Sequence, residues 1–276
     1  MSISFSDFRP KLIAVDFDGT ALNEKYDLTP RTEAALKRAA GLGIPVVCAT
    51  GLMYVSALPF LTRIGVDAPC VFFNGAQLRN PASGEIVYEK TLGAELTADI
   101  LSFYRENGWY VQIYHEDKLL VEDDEDERCR YYEKISRVKA VPMGKSFWDF
   151  SGASIKMLGI AFESDVYRAM VDKTAEKFRG RIYSAKSWGA FIEMVHPLVN
   201  KAQGLARVAE SLGVEQKDVI AFGDGANDKE MIEWAGVGVV MNNAPDSLKQ
   251  YADIIAPGND SDGVAVILER LLGTDG

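Results

Sequence analysis

Asp16 and Asp18, in the segment Asp16-Phe17-Asp18-Gly19-Thr20, are the first residues whose types and spacing could do chemistry. A carboxylate such as Asp16 can attack phosphorus and form an aspartyl-phosphate, which divides a difficult displacement into two easier ones. Asp18 falls on the same side of the chain if the backbone stays extended. From there it could protonate a leaving oxygen and later deprotonate an attacking water. A second acidic segment, Gly223-Asp224-Gly225-Ala226-Asn227-Asp228, could bring carboxylate oxygens from Asp224 and Asp228 to an octahedral magnesium ion. The Thr50 hydroxyl, the Gly51 amide and the Lys201 ammonium are donors suited to the equatorial oxygens of a phosphoryl group, where charge resides in the transition state.

Those residues need elements to aim them. LIAVDF is an apolar run of strand length, and Thr29-Pro30 then offers an N-cap and a first-turn proline to the helix TEAALKRAA, which Gly41 and Gly43 end. IPVVCAT is a second strand, residues 52–64 a helix, and APCVFFN a third strand. Strand and helix alternating in this way predict a parallel sheet. After Asn74-Gly75 the texture changes to polar-turned strand pairs within 77–92, 109–122 and 181–195, interleaved with helices near 95–107, 125–137 and 164–179. From Lys201 the alternation resumes: helix AQGLARVAESLG, strand VIAFGD, helix NDKEMIEWA, strand VGVVM, a short helix near 245–251, strand DIIAP and a last helix from Gly263. The expected fold is therefore α/β, a doubly wound, Rossmann-like parallel-sheet core from residues 1–80 and 194–276, with an α+β cap domain inserted at 81–193. In such a sheet, ligands bind beyond the carboxyl ends of the strands. The predicted strand ends fall at Asp16, Thr50-Gly51, Asn74-Gly75 and Asp224. Singly, each of these segments is ordinary turn chemistry; their order and placement give them weight.

With 276 residues and 47% hydrophobic residues, the chain can bury a sizeable core. Its formal net charge of −10 repels phosphate backbones and anionic lipid, so neither nucleic acid nor a membrane is an expected partner. A phosphorylated substrate faces the same repulsion and needs local relief from a metal ion, a lysine or clustered amides. Cys48, Cys70 and Cys129 are widely spaced, which predicts free buried thiols rather than a disulfide framework or a zinc site. Asp7, Arg9 and Pro10 interrupt the N-terminal stretch where a signal peptide would be apolar, so a cytoplasmic location is expected.

DFDGT and GDGAND, with the CATG segment carrying Thr50 and the VNKAQG segment carrying Lys201, resemble the motifs of the haloacid dehalogenase superfamily. The FNGA segment with Asn74, the long insert and the tail GDGANDKEM are similar to its Cof-like branch, and the likeness spans nearly the whole chain. The resemblance implies a magnesium-dependent phosphatase acting on a small phosphorylated metabolite such as a sugar phosphate. It makes Asp16 the nucleophile and Asp18 the acid–base, with Thr50 and Lys201 on the phosphoryl group. Asp16, the Asp18 carbonyl and Asp224 would hold the metal, with Asp228 and Asn227 around them. Gly51, Asn74 and Asn227 would contact substrate, and so would Lys186 and Trp188 of the insert, which would act as a lid and the seat of specificity. A monomer or weak homodimer is expected. Family members often have arginine where this chain has Leu52, so no contact is carried over from that position.

Asp18 selects a phosphatase or a phosphomutase within the superfamily. A sugar phosphomutase and a catalytically idle phospholigand-binding protein are the alternatives. Glu122 to Glu127 form an acidic run best read as a solvated helix start. His115 and His196 are isolated, and neither is an expected ligand. Tyr114, Lys186 and Trp188 also have a plain reading as packing or ordinary surface.

Overall fold

The computed structural model describes residues 8–187 and 190–273, with side chains for all of these but 185–187. The chain divides into two compact units, one made of the described residues up to Tyr88 and from Asn200 onward, the other of Glu89–Val199. The first begins with β1 (Leu12–Val15), α1 (Pro30–Gly41), β2 (Val46–Cys48), α2 (Tyr54–Ile64), β3 (Cys70–Phe72), β4 (Gln77–Arg79) and β5 (Ile86–Glu89). The second carries α3 (Ala94–Glu106), β6 (Tyr110–His115), β7 (Lys118–Val121), α4 (Glu127–Ser136), β8 (Ala140–Pro142), β9 (Lys156–Ile160), α5 (Ser164–Lys177), β10 (Tyr183–Ser187) and β11 (Phe191–Val195). The chain then returns through α6 (Lys201–Ser211), β12 (Val219–Gly223), α7 (Lys229–Trp234), β13 (Val237–Met241), α8 (Asp246–Lys249), β14 (Ile254–Ala256) and α9 (Gly263–Leu272).

The core sheet has the order β14-β13-β12-β1-β2, and every neighbouring pair is parallel. A parallel bridge between Ala49 and Val71 brings β3 alongside β2. Strands β1, β12 and β13 are buried along their whole length, as strands covered on both faces must be. The helices form two packed groups, α1 with α2 and α9, and α6 with α7. Val15 is level with Cys48 on one side and Phe222 on the other, so the residues that follow β1, β2 and β12 emerge side by side. Thr29 caps α1 by accepting the Thr32 N–H at 3.1 Å, with Pro30 in the first turn, as its sequence predicts.

The core gives way to the insert after Tyr88 rather than at residue 81, and returns at Asn200 rather than 194. Strand β4 pairs antiparallel with β3, and β5 lies beside β4 in the same three-stranded sheet, so this hairpin belongs to the first unit. The second unit is built on a sheet of order β10-β11-β9-β6-β7-β8, antiparallel except for the pair β7–β8. Its central strand β9 was not among the expected elements; Lys156 opens an otherwise apolar run and is itself buried. Tyr104, Phe147, Phe178 and Trp109 lead the apolar cluster against one face.

The acidic run meets the start of α4, where Asp126 accepts the Arg128 N–H at 2.8 Å. All three cysteines are free and buried. Burial pushes the Cys48 and Cys70 thiols up, Cys70 to about 12, which keeps them protonated. Among the described residues no helix is long and apolar enough to cross a membrane.

Candidate active site

Four side chains converge where β1, β12 and α6 meet. Lys201, fully buried, donates from Nζ to Asp16 Oδ1 at 2.7 Å and to Asp228 Oδ1 at 2.6 Å. It stands at the first turn of α6, whose cap Asn200 accepts the Gln203 N–H at 2.8 Å. Neither position favours a cation, because helix N-termini carry partial positive charge and burial penalises an ammonium. Burial lowers the Lys201 pKa, yet the two carboxylates overcome it and hold the group above its ordinary value.

Asp16 is itself buried, and its N–H continues the sheet by donating to the Phe222 carbonyl at 3.0 Å. Burial first, then the charges of Asp228, Asp224 and Asp18, raise its carboxyl well above the usual range, against the opposing pull of Lys201. Asp224 is pushed up to about 6 by burial and by Asp228, with Thr20 opposing as its hydroxyl donates to Oδ1 at 2.9 Å. Asp16, Asp224 and Asp228 each present a carboxylate oxygen within 4.8 Å of the others. Crowded, desolvated carboxylates with a single ammonium among them fit a hard divalent cation, which prefers such oxygen ligands. Both oxygens of Asp228 are engaged: Oδ1 accepts from Lys201, and Oδ2 accepts the N–H groups of Asp224 and Gly225 at 3.0 and 2.9 Å. Asp228 thus orients Lys201 and the Asp224 loop in addition to offering charge.

Asp18 is reached differently from its expected extended spacing. The strand ends at Val15, and residues 17–21 form a tight turn closed by Ala21 N–H to the Asp16 carbonyl at 3.2 Å and Leu22 N–H to the Phe17 carbonyl at 2.9 Å. Asp18, half-buried in that turn, lies outside the three-carboxylate cluster, and its charge raises both Asp16 and Asp224. The turn packs tightly on Asp224: a Cβ on Gly19 would stand 2.2 Å from Asp224 Oδ2.

Thr50 is fully buried; its N–H donates to Val71 O and its carbonyl accepts the Asn74 N–H, both at 2.9 Å. The hydroxyl accepts the Leu52 N–H at 3.2 Å, which leaves its own proton for donation. Asn74, in the left-handed region at φ 57°, accepts from Asn227 Nδ2 at 2.9 Å, and a Cβ on Gly51 would stand 3.2 Å from the Asn74 side chain. The segments after β1, β2, β3 and β12 and the start of α6 are therefore tied together. Lys186 lies on β10 opposite Ile192, its side chain outside those described, and Trp188 lies outside the described residues. Tyr114 packs in the interior of the second unit with Lys156 Nζ 4.7 Å from its ring centroid.

Two members of the site escaped the sequence reading. Thr20 closes the DFDGT segment, where nothing local marks its hydroxyl as a partner of Asp224. Asn243, just beyond β13, donates from Nδ2 to the Gly19 carbonyl at 2.8 Å and to Asp224 Oδ2 at 3.3 Å. The signal was available, since Asn243 also follows the carboxyl end of a core strand.

Gly75 places Lys201. Its φ is 106°, and an added Cβ would stand 2.2 Å from the backbone oxygen of Asn200, which cannot yield as a flexible side chain would. Gly75→Ala is expected to destabilise the fold by about 1–3 kcal/mol from backbone strain, and by more from the clash. A denaturation midpoint within error of wild type at unchanged m would contradict this.

Residues 13–268 match the haloacid dehalogenase-like hydrolase family. A phosphoglycolate phosphatase of Methanothermobacter thermautotrophicus is 30% identical over 264 residues, covering 95% of this chain and 99% of that protein. The 5-amino-6-(5-phospho-D-ribitylamino)uracil phosphatase YitU of Bacillus subtilis is 28% identical over 272 residues, covering 95% and 97%. Among solved structures, a haloacid dehalogenase-like hydrolase from Bacteroides thetaiotaomicron superposes with a TM-score of 0.89 at 28% identity, covering 95% of this chain and all of that one.

Proposed function

The chain belongs to the haloacid dehalogenase-like hydrolases, and from that premise we propose that it is a magnesium-dependent phosphatase of small-metabolite phosphate monoesters, sugar phosphates or similar, acting through an aspartyl-phosphate on Asp16. The observation that carries the proposal is the buried bridge of Lys201 between Asp16 and Asp228, with Asp224 completing a carboxylate cluster within 4.8 Å. The phosphoglycolate and ribityl-phosphate named for the two relatives share the phosphate monoester and little else. That favours a substrate class defined by the phosphoryl group. Choice among such esters we assign to the inserted unit, with Lys186 and Trp188 as the residues to vary.

In the first step a carboxylate oxygen of Asp16 bonds to phosphorus as the ester P–O bond breaks, and Asp18 delivers its proton to the departing oxygen. In the second, Asp18 takes a proton from water as the water oxygen bonds to phosphorus and the bond to Asp16 breaks, releasing inorganic phosphate. Lys201, the Thr50 hydroxyl and the Gly51 amide donate to the phosphoryl oxygens, where charge is held during transfer. Asp16, the Asp18 carbonyl and Asp224 would hold magnesium. The bound cation supplies positive charge that keeps Asp16 ionised despite its burial and screens the cluster from the incoming phosphate.

Phosphate release from a panel of phosphorylated metabolites tests the proposal. Turnover is expected with magnesium and to fall by at least about 100-fold in chelator or with calcium, whose looser, higher coordination misplaces the Asp16 oxygen. Equal activity in chelator would sink the metal requirement. Isomerisation of a hexose phosphate without phosphate release would identify a mutase, and ligand binding without turnover an idle receptor.

A further inference from the structure

The proposed chemistry leaves Asn243 without a task, although its carboxamide is fully occupied. Oδ1 accepts the Asn259 N–H at 3.0 Å, while the two Nδ2 protons go to the Gly19 carbonyl at 2.8 Å and to Asp224 Oδ2 at 3.3 Å. The other oxygen of Asp224 accepts from Thr20 at 2.9 Å. Each Asp224 oxygen therefore has its own neutral donor. The terminal torsion of a carboxylate is broad, so one donor leaves the group free to swing and two set its plane.

The Gly19 carbonyl belongs to the turn that carries Asp18, and that turn departs from helical backbone at Asp18 (ψ 119°) and Gly19 (φ 77°). Its own bonds, from Ala21 and Leu22, close the turn on itself, and a bond from outside ties it to a neighbouring strand end. Asn243 supplies it from β13, the strand next to β12, so one side chain fixes the turn after β1 and the carboxylate after β12 in a common frame. A carboxamide suits the position because it donates without adding charge. A lysine or arginine there would compete with a cation for Asp224.

We propose that Asn243 is a positioning residue for the cation site, pre-setting Asp224 and the Asp18 turn for divalent metal through its paired donations to Asp224 Oδ2 and the Gly19 carbonyl. This assignment rests on the phosphatase proposal above. It also accounts for the bond from Asn259, which pins the acceptor end of the carboxamide so that its amino end points inward. Asn259 is further anchored through Nδ2 to the Leu22 carbonyl at 2.9 Å.

Titration calorimetry with magnesium alone, on the full chain, reads this directly, with melting in chelator alongside. Asn243→Ala is expected to raise the magnesium Kd about fivefold, the scale of one such hydrogen bond, with melting in chelator little changed. Asn259→Ala keeps its backbone N–H to Asn243 and loses only the tie to Leu22, so its Kd should stay within about twofold of wild type. A wild-type Kd in Asn243→Ala would overturn the assignment. So would an equal rise in Asn259→Ala, which would make the effect one of loop anchoring. If Asn243→Ala melts below the titration temperature, Asn243→Ser, too short to span both partners, is judged by the same criterion. Wild-type protein that binds no magnesium would defeat the phosphatase proposal as well, whereas wild type that binds magnesium and hydrolyses beside an unaffected Asn243→Ala defeats this one alone.

Discussion

Asp16→Asn is expected to leave a folded protein whose kcat is lower by on the order of 10⁴ to 10⁶, the scale of losing a covalent nucleophile. Asparagine has the same shape, and its carbonyl oxygen can still accept from Lys201, which bonds Asp16 Oδ1 at 2.7 Å in the wild type. Stability should not fall with activity. Burial and neighbouring carboxylates hold the Asp16 pKa above its unfolded value. The folded state therefore binds its proton more tightly, and stability is lost as pH rises through the folded pKa. At neutral pH in chelator the ionised carboxylate is a liability that asparagine removes. The melting temperature in chelator should accordingly match or exceed that of wild type, a familiar trade at functional sites. A kcat within tenfold of wild type would exclude Asp16 as nucleophile, and a large drop in melting temperature would show that its charge is structural.

Lys201→Met should damage both properties. Methionine fills much of the same volume but leaves Asp16 and Asp228, both buried, facing each other without their shared cation. Removing one partner from a buried ion pair costs about 3–5 kcal/mol. Loss of a phosphoryl donor alone lowers kcat by about 10² to 10³. The stability loss should depend on pH with a definite sign. Lys201 is the group that lowers the Asp16 pKa against burial, so without it that pKa rises further. The variant then recovers part of its stability below that pKa and is weakest above it. Denaturant unfolding in chelator at pH 5 and pH 8 measures the difference. Equal losses at both pH values would mean that Lys201 acts by packing and not by charge.

By itself the sequence determined which residues stand at the ends of which strands. That information is local. An apolar run of four to six residues followed by Asp-Gly, Thr-Gly or Asn-Gly specifies roughly where a strand stops and what the turn presents, and β1, β2, β3 and β12 stop within two residues of the ends of those runs. Family membership was legible for the same reason, because DFDGT and GDGAND are contiguous segments whose character does not depend on the rest of the fold. Tertiary structure alone decided how those ends are wired. The Lys201–Asp16 bond joins residues 185 positions apart, and nothing near Lys201 in sequence announces that the ammonium is buried rather than solvated at the start of a helix. The two-sided hold of Asp228 and the bridge from Asn243 arise likewise from the register of β12 against β1 and β13. The same limit hid β9, whose buried Lys156 reads as surface until β6 and β11 close around it, and it moved the core boundary past the β4–β5 hairpin, which stays because β4 pairs with β3. Local propensity chooses an element, whereas its partner is chosen by what remains to be buried once distant segments pack.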